Sequence, residues 1–253
     1  MRIDINSDMG ESFGVYTLGH DAGLMASITS ANVACGFHAG DPSVMRRTVR
    51  MARDAGVAVG AHPGFPDLVG FGRRDLHVTP QEAEDFIVDQ IGALAGVCAA
   101  EGLRLQHVKP HGALFNMAVR DAALAGAIAR AVAVCDRSLI LFGLPGSEIL
   151  AAGRREGLRV AAEVFADRAY EPDGSLASRR KAGAVIHDPD AVVARAVRMV
   201  TERTVVAIDG SVVPLDADTI CVHGDTPGSD VLAARLRTGL QAAGVQVKAI
   251  AAA

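Results

Sequence analysis

Lysine is rare in this chain, and the first one lies between two histidines. The stretch HVKPHGALFN, residues 107–116, contains Lys109, which is the first of only three lysines in 253 residues. His107 and His111 lie two positions to either side, so an extended backbone places all three side chains on one face. Pro110 stiffens the segment directly after the lysine. A cation flanked by imidazoles suits the stabilisation of a phosphate or an oxyanion and the transfer of protons.

Four histidines each follow a strand-like segment and stand next to or near a glycine or proline. They lie in CGFHAGDP, GAHPG, KPHG and VHGD, as His38, His62, His111 and His223. Glycine allows a ligand to approach the backbone closely. With a carboxylate, such histidines can bind a divalent metal. They can equally serve as acid, base and oxyanion donor without one, and the residues leave both possibilities open.

Side-chain alternation brings polar groups to one face of several strands. In the first segment Ile3 and Ile5 share one face, whereas Asp4, Asn6 and Asp8 share the other. A later segment, LRVAAEV, places Glu163 opposite three aliphatic side chains in the same way. In a barrel of parallel strands, alternate residues point inside and the active site lies at the carboxyl ends of the strands. We therefore expect these groups to converge in one cleft.

Strand-like and helix-like segments alternate along the whole chain. The strand-like segments are 2–6, 28–34, 57–61, 103–108, 138–142, 158–163, 182–186 and 219–223. Helix starts are indicated by Asp41-Pro42 and by the capping box Thr79-Pro80-Gln81-Glu82. Residues 205–215 form a predicted hairpin around Asp209-Gly210. Seven or eight βα units predict one domain over residues 1–253, a distorted TIM-like (β/α)7–8 barrel, with a doubly wound open sheet as the alternative.

Composition excludes several classes of partner. The formal net charge is −4 without a basic stripe, which argues against nucleic-acid binding. Apolar runs are too short for a membrane span, and the N-terminus turns polar too early for a signal peptide. The four cysteines lack CxxC spacing, so free thiols in a cytoplasmic protein are expected.

Familiar nucleotide-binding and hydrolase motifs are missing from the sequence. It contains no P-loop, GxGxxG, HExxH or GxSxG. Two glycine-containing stretches with arginines, residues 62–75 and 167–183, follow strand-like segments. They are either solvated surface or lids that bring Arg73, Arg74 or Arg168 to a carboxylate or phosphate.

Six motifs together resemble one family. They are DINSDMGESFG, ANVACGFHAGDP, GAHPGFPDLVGFGRR, HVKPHGALFN, ADRAY and ICVHGDTPG, and they span nearly the whole chain. In this order they resemble the LamB/YcsF family, whose members are the A subunit of prokaryotic 5-oxoprolinase. The resemblance implies a barrel related to polysaccharide deacetylases. It also implies hydrolysis of 5-oxo-L-proline to L-glutamate with ATP as co-substrate, together with partner subunits B and C.

The related deacetylases hold a metal with one aspartate and two histidines. Carried over to this sequence, that set is Asp8, His62 and His111. The chain departs from the deacetylase pattern in having Ser7-Asp8 where paired aspartates are common, and in adding Lys109 before His111.

Opening a lactam with ATP requires cations near phosphate, a base for water and a clamp for the substrate carboxylate. The expected catalytic residues are Asp8, Glu11, His38, Lys109, His111 and His223. The expected substrate-binding residues are Asn6, His62, Arg73, Arg74 and Arg168.

Two other functions remain open at this point. A metal-dependent deacetylase of an N-acetylated sugar would use the same groups, although an aromatic content of 4% provides few stacking faces for a sugar. A non-catalytic subunit that binds oxoproline would need only the cleft.

Overall fold

The computed structural model describes residues 1–178, 181–222 and 228–250. Within these ranges there are ten strands and eight helices. The strands are β1 (Arg2–Met9), β2 (Ser30–Ala34), β3 (Ala58–His62), β4 (His107–Val108), β5 (Ile140–Gly143), β6 (Arg159–Phe165), β7 (Thr204–Val206), β8 (Val212–Pro214), β9 (Thr219–Val222) and β10 (Gln246–Val247). The helices are α1 (Asp21–Met25), α2 (Pro42–Ala55), α3 (Pro80–Ala100), α4 (Gly112–Ala118), α5 (Ala122–Cys135), α6 (Glu148–Arg155), α7 (Pro189–Thr201) and α8 (Ser229–Ala242).

Parallel pairing closes the main sheet into a barrel. In the part of the chain described, seven strands follow one another as β1-β2-β3-β4-β5-β6-β9, and β9 pairs back onto β1. The short β10 adds to the outer start of β1. The predicted TIM-like barrel is confirmed, and the open-sheet alternative is wrong because the pairing of β1 with β9 leaves the ring without an edge.

One predicted strand is wrong, and the predicted hairpin is confirmed. Residues 182–186 do not join the barrel; Val185 forms only an isolated bridge with Arg168, and Gly183, two residues before it, has a left-handed φ of 76°. That backbone conformation interrupts an extended segment. The antiparallel pair β7–β8 forms at the predicted place. The described residues between β6 and α7, 166–178 and 181–188, therefore form a long loop beside the barrel mouth, which we call the excursion.

Helices α2 and α3 begin at the residues that the sequence indicates. The Asp41 side chain accepts hydrogen bonds from the backbone N–H groups of Ser43 and Val44, and α2 ends at Gly56, whose φ is 67°. Thr79 and Glu82 form the complete capping box of α3. These caps satisfy amide groups that a helix terminus leaves without partners. The apolar faces of the helices pack against the outside of the sheet.

Polar side chains occupy the inside of the barrel. The apolar core consists of aliphatic residues between strands and helices, such as Ile3 and Ile5 of β1. On the opposite parity of the strands lie residues that are buried and polar, namely Asp4, Asn6, Asp8, Asn32, His107, Lys109, Glu163 and Thr219. The barrel interior is thus a site rather than a hydrophobic core.

Other expectations concern cysteines and membranes. All four cysteines are free, and three of them are buried. Among the described residues no helix combines the length and apolar character needed to cross a bilayer.

We expect Gly60→Ala to destabilise the barrel. A Cβ atom at Gly60 would lie 2.2 Å from the His107 ring. Overpacking of this kind costs about 1–3 kcal/mol of unfolding free energy, which denaturant titration would measure. Gly92→Ala in α3 is the matched control, since its Cβ meets nothing within 4 Å. It is expected to be neutral or stabilising. Equal stability of Gly60→Ala and the wild type would contradict the close approach.

Candidate functional site

Lys109 directly follows β4 and points into the barrel, where it is 3% exposed. Its Nζ donates hydrogen bonds to Asp8 Oδ1 at 2.8 Å and to Cys221 Sγ at 3.1 Å. Glu163 Oε1 lies 2.9 Å away as a second ion-pair partner, and Asn6 Oδ1 lies at 3.4 Å. These four neighbours outnumber the three protons of an ammonium group. Direct stabilisation of a substrate oxyanion by Lys109 stays a prediction, and it would require this lysine to release one neighbour.

The two carboxylates keep Lys109 charged. Burial alone would lower the pKa of Lys109, but the charges of Asp8 and Glu163 raise it well above its usual value. Burial raises the pKa of Glu163, whereas the Lys109 charge acts in the opposite direction. Burial likewise raises the pKa of Cys221 well above its usual range, so Cys221 is a neutral thiol at neutral pH. The group is therefore an ammonium held mainly by carboxylates.

Three histidines and one carboxylate form a second cluster at the barrel mouth. One nitrogen or oxygen atom from each of Glu11, His38, His62 and His111 lies within 4.8 Å of the others. The His38 ring stacks on the His111 ring with centroids 3.7 Å apart. Burial, followed by the neighbouring imidazoles, lowers the pKa values of His38 and His111 well below the usual range. These two rings are therefore neutral at neutral pH.

Backbone carbonyls fix the orientation of two of these rings. His62 Nδ1 donates to the carbonyl of Lys109 at 2.7 Å, and His111 Nε2 donates to the carbonyl of Phe71 at 2.9 Å. The remaining nitrogens, His62 Nε2 and His111 Nδ1, then face each other at 2.9 Å. If both rings are neutral, both of these nitrogens carry lone pairs. Two lone pairs at this distance repel unless a proton or a cation lies between or beside them.

This arrangement fits a divalent metal. Converging imidazole lone pairs with a nearby carboxylate are typical ligands of zinc-like ions. Glu11 Oε1 lies 3.6 Å from His38 Nε2 and 3.8 Å from His111 Nδ1. Neither ring nitrogen of His38 has a hydrogen-bond partner among the described residues. The site could hold a metal through Glu11, His38, His62 and His111.

The carboxylate of this cluster differs from the one that the resemblance implies. Asp8 Oδ1 lies 3.4 Å from His62 Nε2, but the same oxygen accepts hydrogen bonds from Lys109 and Asn32. The role of Asp8 as a metal ligand stays a prediction. Glu11 is the alternative ligand.

A cavity of about 580 Å³ opens in front of both clusters. Asp8, His62, Lys109 and His111 line its inner end. The rest of its lining comes from α4 and the residues just after it, from the end of β6 and from the excursion that follows β6, including Phe115, Asn116, Arg120, Phe165, Glu171 and Ser175. A cavity of this size with several convergent polar groups is typical of small-molecule sites.

The three expected arginines lie in different surroundings. Arg73 lines the cavity, and its guanidinium lies 4.8 Å above the Phe71 ring. Arg168 also lines it, but donates hydrogen bonds to the carbonyls of Ala177 and Ala184 and so ties the excursion together. Arg74 forms an ion pair with Asp67 and is not part of the cavity wall.

Of the other expected residues, some converge and one cannot be placed. Asn6 lies in the barrel interior beside Lys109, and His38 in the histidine cluster. His223 falls outside the described residues. Sequence reasoning missed Asn32, which donates to Asp8 Oδ1 at 2.9 Å. The alternation of Ser30 and Asn32 with aliphatic residues in β2 is the signal that could have found it.

Comparisons with known proteins identify the family. Residues 3–253 match the sequence model of the LamB/YcsF family. The chain belongs to the LamB/YcsF family. It is 56% identical over 249 residues to a protein of Tolumonas auensis that is named as the A subunit of 5-oxoprolinase, with 98% of this chain and 99% of that relative covered.

Solved structures show the same fold. A lactam utilization protein from Thermus thermophilus superposes with a TM-score of 0.95 at 48% identity, and the match covers 99% of this chain and 100% of that one. A family 4 carbohydrate esterase from Streptomyces lividans is 13% identical with a TM-score of 0.50, covering 99% of this chain and 93% of that one. At this identity the second likeness concerns the fold alone.

The first prediction for the site concerns metal binding. Protein freed of metal and reloaded with zinc is expected to bind it, and His62→Ala is expected to bind much less. Glu11→Gln should lower the affinity if Glu11 is the ligand, whereas Asp8→Asn should lower it if Asp8 is. Calorimetric titration and elemental analysis measure both. Equal metal content in the wild type and His62→Ala would remove the histidine cluster as a metal site.

A second prediction concerns the stability that Lys109 provides. Lys109→Met leaves Asp8 and Glu163 without their cation, and loss of one partner of a buried ion pair costs about 3–5 kcal/mol of unfolding free energy. Adding Glu163→Gln removes one of the uncompensated charges and should recover part of this loss. Denaturant unfolding measures the single and double variants. Additive effects of the two substitutions would show that the pair is not coupled.

Proposed function

We propose that this chain is the A subunit of a 5-oxoprolinase, which opens 5-oxo-L-proline to L-glutamate with ATP as co-substrate and acts together with subunits B and C. The observation that carries the proposal is the full-length similarity, at 53–57% identity, to proteins that are named as the A subunit of this enzyme. The barrel-mouth cavity adds chemical support. It combines a carboxylate, an ammonium and imidazoles, as amide hydrolysis requires.

The need for ATP follows from the substrate. A five-membered lactam is a weak electrophile, and its oxygen is a poor leaving group. Transfer of the γ-phosphoryl group to that oxygen yields ADP and an activated carbon. Water then adds to this carbon and the ring C–N bond breaks, which frees the amine and gives γ-glutamyl phosphate. A second water hydrolyses this acyl phosphate to glutamate and phosphate.

The residues of this chain provide the groups for the hydrolytic steps of this reaction. Asp8 lines the cavity beside His62 and is the candidate base that takes a proton from water. Lys109 lies 2.8 Å from Asp8 Oδ1 and orients this carboxylate. A divalent cation held by the histidine cluster would polarise an oxygen or lower the pKa of a bound water.

Arg73 is the candidate clamp for the substrate carboxylate. It is exposed on the cavity wall and can present a planar pair of N–H donors to a carboxylate. The Phe71 ring beneath the guanidinium limits its orientations. Phe71 itself has a left-handed φ of 55°, which is uncommon for a residue with a bulky side chain. The same residue thereby supports both Arg73 and, through its carbonyl, His111.

The decisive experiment is reconstitution. ATP hydrolysis that depends on oxoproline, and formation of glutamate, should appear when this chain is combined with its partner subunits. Neither should appear when any one subunit is omitted. Release of acetate from an N-acetylated sugar by this chain alone would favour a deacetylase instead. Full activity of the partner subunits without this chain would show that this chain has no catalytic role.

Arg73→Ala is expected to raise the KM for oxoproline while leaving kcat nearly unchanged. A hydrogen-bonded ion pair contributes about 1.5–3 kcal/mol, which corresponds to roughly a 10- to 150-fold change in KM if the contact is equal in ground and transition states. Arg74→Ala is the matched control, because Arg74 binds Asp67 and not the cavity. Steady-state kinetics of the complex measure KM and kcat for both variants. An equal rise for both variants would remove Arg73 from the site.

A further inference from the structure

A chain of hydrogen bonds crosses the inside of the barrel below the site. We call it the interior chain, and it consists of Asp4, Thr219, Asn6, Asn32 and His107. Thr219 bonds to Asp4 Oδ2, Asn6 Nδ2 lies 2.7 Å from Thr219 Oγ1, and Asn32 Nδ2 lies 2.7 Å from Asn6 Oδ1. His107 Nε2 lies 2.8 Å from Asn32 Oδ1. Four of these residues are fully buried, and Asp4 is 1% exposed.

The carboxylate of Asp4 sets the direction of these bonds at one end. It accepts the hydroxyl protons of Thr29, Ser30 and Thr219. A threonine has a single hydroxyl proton. Since Thr219 gives that proton to Asp4, it must accept from the amino group of Asn6. The Asn6 carbonyl oxygen then accepts from Asn32.

Asp8 sets the same direction from the other side. Asn32 Nδ2 lies 2.9 Å from Asp8 Oδ1, so its amino group must face this carboxylate. The two protons of the Asn32 amide are thereby used, one by Asn6 and one by Asp8. Its carbonyl oxygen can only accept, and the donor is the Nε2–H group of His107.

The His107 ring is held in place for this contact. It stacks on Phe142 with centroids 4.3 Å apart and an interplanar angle of 7°. On its other side Gly60 has no side chain, and any Cβ there would collide with the ring. Nδ1 lies 3.1 Å from Gln106 Oε1, which competes for the proton of a neutral imidazole. Burial, followed by the charge of Lys109, lowers the pKa of His107 to about 3, so the ring carries one proton at neutral pH.

We propose that Asn32 and His107 are positioning residues for Asp8. His107 donates from Nε2 to Asn32, which fixes the Asn32 amide, and Asn32 together with Lys109 holds Asp8 Oδ1 in one orientation at the cavity. A carboxylate bound by two donors on one oxygen cannot rotate freely. Neither residue touches the cavity. The inference rests on the proposed function in that Asp8 takes part in the reaction.

The ring tautomer tests the geometry without any activity measurement. Long-range proton–nitrogen NMR of the imidazole groups at neutral pH is expected to show His107 protonated at Nε2. Protonation at Nδ1 alone would mean that Gln106 has taken the proton, and the proposal would then be wrong.

Kinetics of the complex test the positioning role. His107→Phe keeps a ring and removes the donor, and should lower kcat by about 10- to 100-fold, the range for loss of a supporting hydrogen bond. KM for oxoproline should stay nearly constant. His107→Gln, whose amide N–H can replace Nε2–H, should restore most of kcat.

Phe142→Leu is the matched control for packing. It removes the ring stacked on His107 and keeps the donor. The bond to Asn32 and the close packing against Gly60 still place the imidazole, so the melting temperature should fall while kcat is retained. Three results would overturn the proposal: wild-type kcat in His107→Phe, equal loss in His107→Phe and His107→Gln, or a loss in Phe142→Leu as large as in His107→Phe. If His107→Phe does not fold, the kcat values of His107→Gln and Phe142→Leu, together with the His107 tautomer of the wild type, still test the proposal. A wild-type complex inactive on oxoproline would instead refute the proposed function, and the tautomer would still test the orientation of Asn32.

Discussion

A single buried ammonium group constrains the whole barrel interior. Removing the charge of Lys109 from water costs several kcal/mol even after relaxation, and only carboxylates close by can compensate. Asp8 of β1 and Glu163 of β6 provide them from the two strands that flank β9. The strands must therefore deliver acids and amides to the inside, and the apolar core is displaced to the layer between strands and helices. In this fold the Lys109 half of the site is part of the barrel interior, and the histidine cluster lies above it at the mouth.

The charges of the two clusters are compensated in different ways. Around Lys109 the acids and the ammonium compensate each other within the protein. In the histidine cluster, Glu11 faces imidazoles whose pKa values are lowered by burial, so protonation of these rings is a costly source of positive charge. A bound cation would provide the positive charge that Glu11 requires without protonation of the rings. It would also account for the close approach of His62 Nε2 and His111 Nδ1. The charge pattern thus favours a metal at the mouth and a lysine beneath it.

Much of the architecture was predictable because its signals are local. The caps at Asp41 and Thr79, the alternation in β1 and the motif around Lys109 each depend on a few neighbouring residues. The residues 182–186 were predicted as a strand because a short apolar run has the same pattern in a strand and in a packed excursion. Glu11 is among the expected catalytic residues, but its grouping with the three histidines in place of Asp8 could not be predicted. It depends on how the chain turns after β1, and side-chain alternation ends there.

The orientations of the ring nitrogens depend on contacts between distant segments, and they decide what the site can do. His111 is turned by the carbonyl of Phe71, which belongs to the loop after β3, and His62 by the carbonyl of Lys109. In each case a backbone oxygen accepts a hydrogen bond from one ring nitrogen. The other nitrogen of each ring then faces the neighbouring ring. Within the barrel, Asp4 accepts the hydroxyl proton of Thr219. This fixes the direction in which the side-chain amides of Asn6 and Asn32 donate. Residue types can be read from a sequence, but donors and acceptors acquire a direction only when the strands and loops that hold them are assembled.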